Sequence, residues 1–164
     1  MGESAKKLRA GAGEKEGKYL GFELAGENYG LEILKVREII GMMDITPLPQ
    51  LPSHVKGVIN LRGKVIPVVD LRLKFGLEAS AYHERTCIIV VETRGSNGPV
   101  LMGIVVDTVS EVMSVDPADV EATPELGLRL DADYIMGLAK QREGVKILLD
   151  IDRVLNVQEL GLGM

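Results

Sequence analysis

Two short apolar runs, Gly57 to Leu61 and Val65 to Val69, stand on either side of Arg62-Gly63-Lys64. β-Branched residues are frequent in both, and the polar triplet between them contains a glycine, which predicts two strands joined by a tight turn. Gly63 can take the positive φ that such a turn demands. Asp70 closes the second run just before Leu71, Leu73 and Phe75, an apolar-polar pattern in which its carboxylate is placed to cap the first turn of a short helix.

The same unit occurs again. A shift of 80 residues (150 minus 70) sets Gly137, Arg142, Val145, Asp150 and Ile151 against Gly57, Arg62, Val65, Asp70 and Leu71. An earlier segment repeats with a shift of 73 (103 minus 30): Gly30, Val36, Glu38 and Ile39 recur as Gly103, Val109, Glu111 and Val112. Two related halves in the same order are therefore expected, residues 18–80 and 81–160, after a mobile tail over 1–17. The repeat leaves open whether terminal strands are exchanged between the halves.

Between these landmarks the pattern is mostly strand and turn. Residues 19–24 and 28–33 form an expected hairpin about Ala25-Gly26-Glu27. The stretch 34–43 has both helical and alternating spacing, and its repeat partner favours a turn followed by a strand. Pro47, Pro49 and Pro52 make 46–52 a connector. Residues 76–85 are the polar link between halves; 87–92 and 100–106 are strands across a loop at 94–99. Residues 116–133 read as irregular, 134–140 and 145–151 as the second hairpin, and 152–160 as a terminal helix. Ten short strands with many glycine turns imply a mainly β chain, folded as two small barrels or rolls.

Composition agrees and narrows the function. The chain has 164 residues, 46% hydrophobic but only 4% aromatic, with 19 Gly and no Trp, as expected of aliphatic strands and many turns. A formal charge of -5 provides no overall positive field for nucleic acid or an anionic membrane. No apolar run approaches a membrane span, so direct membrane insertion is not expected. The single Cys87 lies in an apolar run and reads as a small buried thiol, consistent with a reducing cytoplasm.

Candidate chemistry is sparse. His54 and His83 have no ligand at metal spacing beside them, so no metal site is expected. Asp70 and Asp150, one from each half, invite comparison with the dyad of a two-lobed aspartic protease. Each is followed by an aliphatic residue instead of the hydroxyl and glycine that such a dyad requires, and the cap reading is preferred. Gly11-Ala12-Gly13 follows no strand and makes no phosphate loop. No catalytic residue and no cofactor is expected, which points to a binding protein. Glu38 and Arg62 recur together as Glu111 and Arg142, and the recurrence predicts an acid and a base opposed across strands.

Tyr29-Gly30-Leu31, Ile33, Val36 and Glu38-Ile39, then the hairpin Gly57-Val58-Ile59-Asn60-Leu61-Arg62-Gly63, then Pro67-Val68-Val69-Asp70-Leu71 and Gly103-Ile104-Val105-Val106-Asp107 together resemble the CheW-like family of bacterial chemotaxis coupling proteins, over 18–159. The resemblance implies two SH3-like five-stranded β-barrels around a shared core. It also implies an adaptor, recruited from the cytoplasm to membrane-associated arrays, that joins methyl-accepting chemoreceptor tips to the histidine kinase CheA and is not an enzyme. The receptor tip would dock at Val36, Glu38, Gly57, Arg62 and Cys87, where Cys87 departs from the aliphatic residue expected. The regulatory domain of CheA would meet an exposed apolar face around Ile40, Met42, Met43, Ile45, Val65 and Ile66. A two-lobed hydrolase and a detached CheA-like regulatory domain are the alternatives.

Overall fold

The computed structural model describes residues 17–122, 132–142 and 144–156. Most of the tail, residues 157–160 of the expected terminal helix and much of the expected irregular link lie outside them; the described helix ends at Val154, with Leu155 as its C-cap. The order of elements is β1 (Lys18–Leu24), β2 (Glu27–Glu32), a 3-10 turn (Ile33–Lys35), β3 (Val36–Gly41), β4 (Val55–Leu61), β5 (Lys64–Asp70) and α1 (Leu71–Lys74). The second half follows with β6 (Cys87–Gly95), β7 (Gly98–Val106), β8 (Thr108–Ser114), a 3-10 turn (Pro117–Asp119), β9 (Val120–Glu121), a 3-10 turn (Ala132–Tyr134), β10 (Ile135–Gln141), β11 (Gly144–Leu149) and α2 (Ile151–Val154). The fold is mainly β, with helices of a single turn.

Local chemistry explains the turns. Arg62 and Gly63 both have positive φ, 52° and 88°, which is the twist a two-residue hairpin needs, and Asn60 Oδ1 accepts the Gly63 N–H at 2.8 Å. Lys64 already belongs to β5, so the turn is one residue shorter than the polar triplet suggested. The 94–99 loop is also shorter than expected, because β6 and β7 stay paired out to Gly95 and Gly98. The ambiguous stretch after β2 resolves into a 3-10 turn and then a strand. Val120–Glu121, in the segment read as irregular, adds an eleventh strand along β10.

The strands form two sheets, in the orders β8-β1-β2-β11-β10-β9 and β3-β6-β7-β5-β4. Each sheet takes its central hairpin from one half of the chain and its flanking strands from the other. β2 runs parallel to β11 with Gly30 opposite Leu148, and β7 runs parallel to β5 with Gly103 opposite Val68. These registers are the same one written twice, since Gly30 repeats as Gly103 and Val68 as Leu148. Strand exchange, open in the sequence, is thus the plan of the fold.

Between the sheets lies a shared core that includes Phe22, Leu31, Val69, Leu71, Ile89, Met102, Ile104, Leu149 and Ile151. Phe22, Tyr29, Phe75 and Tyr134 line up in a row across it, the first pair stacked and the next two tilted, with successive ring centroids 5.6, 5.9 and 6.0 Å apart. The five-stranded sheet wraps a second core of Ile59, Ile66, Val68, Ile88, Val90 and Val105. The six-stranded sheet wraps a third, of Val115, Ala139 and Leu148. Each buried aliphatic or aromatic side chain contributes roughly 1.5–3 kcal/mol, so most of the stabilising burial joins the two halves.

Candidate functional site

Glu38 and Arg62 meet. The Arg62 guanidinium donates to both Glu38 carboxylate oxygens, through Nη2 to Oε1 and through Nη1 to Oε2, the latter at 3.4 Å. They are not sheet neighbours as expected: β3 and β4 are the opposite edges of the five-stranded sheet, and the pair spans the opening between them. Arg62 is held there by the turn, whose positive φ at this residue is fixed by the two-residue hairpin. Beside it Arg37 donates to Glu92 from Nε and Nη2. Both pairs rim a cleft of about 460 Å³ floored by Leu61, Ile66, Val90 and Leu101. The second pair had no counterpart in the repeat, since Ser110 stands where Arg37 would recur, and so the repeat could not reveal it. Glu111 and Arg142 form no such pair among the described residues.

Val36 and Cys87 lie at the rim of the shared core, half-buried against it. They are on adjacent strands but not together, because Val36 faces Val91 and Cys87 faces Gly41, about 13 Å apart along β6 at ~3.3 Å per residue. Burial pushes the Cys87 thiol up from its ordinary pKa, in keeping with an unreactive side chain. Gly57 is buried and offers no side chain. Its φ is 139°, and a Cβ there would lie 2.0 Å from the Thr46 carbonyl oxygen. Thr46 exchanges both backbone hydrogen bonds with Val58, at 2.8 and 2.9 Å, so Gly57 is what lets the connector close over the β4 edge.

Ile40, Met42, Met43 and Ile45 pack half-buried over the core of the five-stranded sheet. Val65 is 66% exposed, but Ile66 is 1% exposed and belongs to that core, beneath any exposed face. The exposed face expected to hold both therefore holds only Val65, because the two alternate and Ile66 points inward.

Asp70 and Asp150 stand at the N-caps of α1 and α2. Asp70 Oδ1 accepts from the Arg72 and Leu73 N–H groups, and Asp150 Oδ1 from those of Asp152 and Arg153. The Asp70 N–H reaches the His54 carbonyl, as the Asp150 N–H reaches that of Tyr134, both at 2.8 Å. Asp70 Oδ2 also accepts the Tyr82 hydroxyl at 2.8 Å, which straps the link between halves onto α1. With both oxygens engaged, Asp70 has the surroundings of a cap.

The second residue of each helix is anchored by an ion pair. Arg72 donates to Asp107 Oδ1 from Nε at 2.8 Å and to Oδ2 from Nη2 at 2.6 Å, and Asp107 accepts the Ala25 N–H as well. Asp152 accepts from Lys35 Nζ at 2.8 Å, from Thr93 Oγ1 at 2.9 Å and from the Arg94 N–H. Burial alone would raise both carboxyls, but these donors hold each below the usual carboxylate range. Burial, together with the Lys74 charge, lowers His54. Among the described residues no three His, Cys, Asp or Glu side chains gather as a metal site would require, and no helix is long and apolar enough to cross a membrane.

Residues 18–159 match the family model for the CheW-like domain. The chain is 40% identical over 152 residues to chemotaxis protein CheW of Klebsiella aerogenes, covering 92% of this chain and 89% of that protein. It is 31% identical to chemotaxis protein CheW of Rhizobium meliloti, covering 97% of each. Among solved structures it is similar to the scaffolding protein TtCheW from Thermoanaerobacter tengcongensis, with a TM-score of 0.76 at 35% identity, covering 85% of this chain and 88% of that one.

Proposed function

The chain belongs to the CheW-like domain family, and from that premise we propose that it is a non-enzymatic adaptor coupling methyl-accepting chemoreceptors to the histidine kinase CheA. The receptor tip, a helical hairpin, lies along the half-buried rim that runs from Val36 to Cys87, whose apolar side chains suit an amphipathic helix. Glu38 and Arg62 lie on the other face of the sheet, closing its opening over the cleft floored by Leu61, Ile66, Val90 and Leu101. Gly57 acts through its backbone, by holding Thr46 in place. The CheA regulatory domain meets the surface of Ile40, Met42, Met43, Ile45 and Val65, with Ile66 supporting it from below. The protein works in the cytoplasm and is recruited to receptor arrays, where many weak contacts act at high effective concentration.

The observation that carries this reading is the Glu38–Arg62 pair, which ties two otherwise separate sheet edges together at the rim of the cleft. The adaptor role is tested by reconstituting kinase, receptor-bearing membranes and this chain, omitting each in turn. Receptor control of phosphorylation should require the chain, and equal coupling without it overturns the reading. The pair is tested by a double-mutant cycle on receptor-tip affinity. Glu38→Ala and Arg62→Ala should each weaken binding several-fold, and the double variant should lose less than the two losses combined. Strict additivity would show that the residues act separately.

A further inference from the structure

The two ion pairs that anchor the helices occupy equivalent places but have opposite polarity. Where β5 runs parallel to β7, the helix supplies the cation, Arg72, and the end of the neighbouring strand supplies the anion, Asp107. Where β11 runs parallel to β2, the helix supplies the anion, Asp152, and the turn after the neighbouring strand supplies the cation, Lys35. Arg72 and Asp152 are 80 residues apart, the shift of the repeat; Lys35 lies one position beyond Leu34, the counterpart of Asp107.

We propose that this reversed polarity specifies strand exchange between the halves. The identical registers, Gly30 opposite Leu148 and Gly103 opposite Val68, mean that backbone pairing alone does not tell the exchanged fold from one in which each half keeps its own hairpin. In that alternative β2 would lie beside β5 and β7 beside β11. Lys35 would then face Arg72, and Asp107 would face Asp152. Both attractions become like-charge contacts at sites where no side chain of the four is more than 27% exposed, so water would screen them weakly. The four charges therefore favour one pairing and oppose the other, as charge patterns do between competing partners.

Three variants of the full chain test this by thermal unfolding. Exchanging the helix charges, Arg72→Asp with Asp152→Arg, turns both native pairs repulsive. A neutral control, Arg72→Gln with Asp152→Asn, removes them without repulsion. A four-site variant adds Lys35→Asp and Asp107→Lys to the exchange and restores two attractions with polarity inverted. The exchange variant should lose at least about twice as many degrees of Tm as the control, or fail to fold, and the four-site variant should recover more than about half of the loss. An exchange variant no less stable than the control overturns the proposal. So does a four-site variant that stays as unstable as, or as unfolded as, the exchange variant.

Discussion

The five-stranded and six-stranded sheets share one strand plan and differ in what they enclose. The five-stranded sheet wraps six buried aliphatic side chains, with Met42, Met43 and Ile45 laid over them. Among the described residues, the six-stranded sheet wraps Val115, Ala139 and Leu148, bordered by Tyr19, Met113 and Val120. The edges differ likewise: the Glu38–Arg62 pair bridges the opening of the five-stranded sheet, whereas Glu111 and Arg142 do not meet. The repeat thus preserves backbone geometry while side chains have been assigned different work. The filled, ion-paired sheet is the one that carries the proposed partner surfaces.

The contrast is tested most strongly in the cores. Ile66→Ala should cost about 4 kcal/mol and Leu148→Ala about 2–3 kcal/mol. Leu148 lies against Gly30 and among half-exposed side chains, one of them the flexible Met113, which can relax into the space. Urea unfolding measures both losses, and equal values would mean that the two cores are equally well packed. Smaller losses are expected at the paired glycines. Gly57→Ala meets the Thr46 backbone at a positive φ and should cost about 3 kcal/mol; Gly137→Ala meets chiefly Val120 Cγ1, at 2.6 Å, and should cost about 1 kcal/mol. Similar unfolding midpoints for the two would remove the argument that the connector closure is tighter on the five-stranded side.

The caps should lose least. Asp70→Ala should cost about 2 kcal/mol, because Tyr82 also loses its acceptor, while Asp150→Ala should cost about 0.5–1 kcal/mol. Kinase and receptor binding per folded molecule should be unchanged in both, which separates a capping role from a contact role. A binding loss in Asp70→Ala at unchanged Tm would contradict it.

Much of this was legible in the chain. The Asp70 and Asp150 caps, the hairpin turn at Arg62-Gly63 and the turn-then-strand after Glu32 follow from local patterns that tertiary context did not override. The Glu38–Arg62 contact was visible because both members recur. Strand exchange was not, since two copies with the same apolar spacing do not state which copy pairs with which. The device that distinguishes them was hidden for the same reason: a search for matching residues passes over Arg72 against Asp152, where the copies carry opposite charge. Ile66 was placed on the surface with Val65 although alternation puts one inward. The β9 strand is too short to leave a periodicity.

Strand exchange also governs the order in which this chain can become structured during synthesis. When residues up to Lys74 have emerged, β1 and β2 can pair, and so can β4 and β5, but β3 reaches β5 only through β6 and β7. The six-stranded sheet waits longer still, because β2 gains its second neighbour only with β11, near the end of the chain. Each sheet draws strands from both halves, and several of its pairings join segments far apart in the chain, a topology that slows folding and leaves apolar edges open while it proceeds. A cut anywhere in the link between α1 and β6 leaves two fragments, neither of which holds all the strands of either sheet.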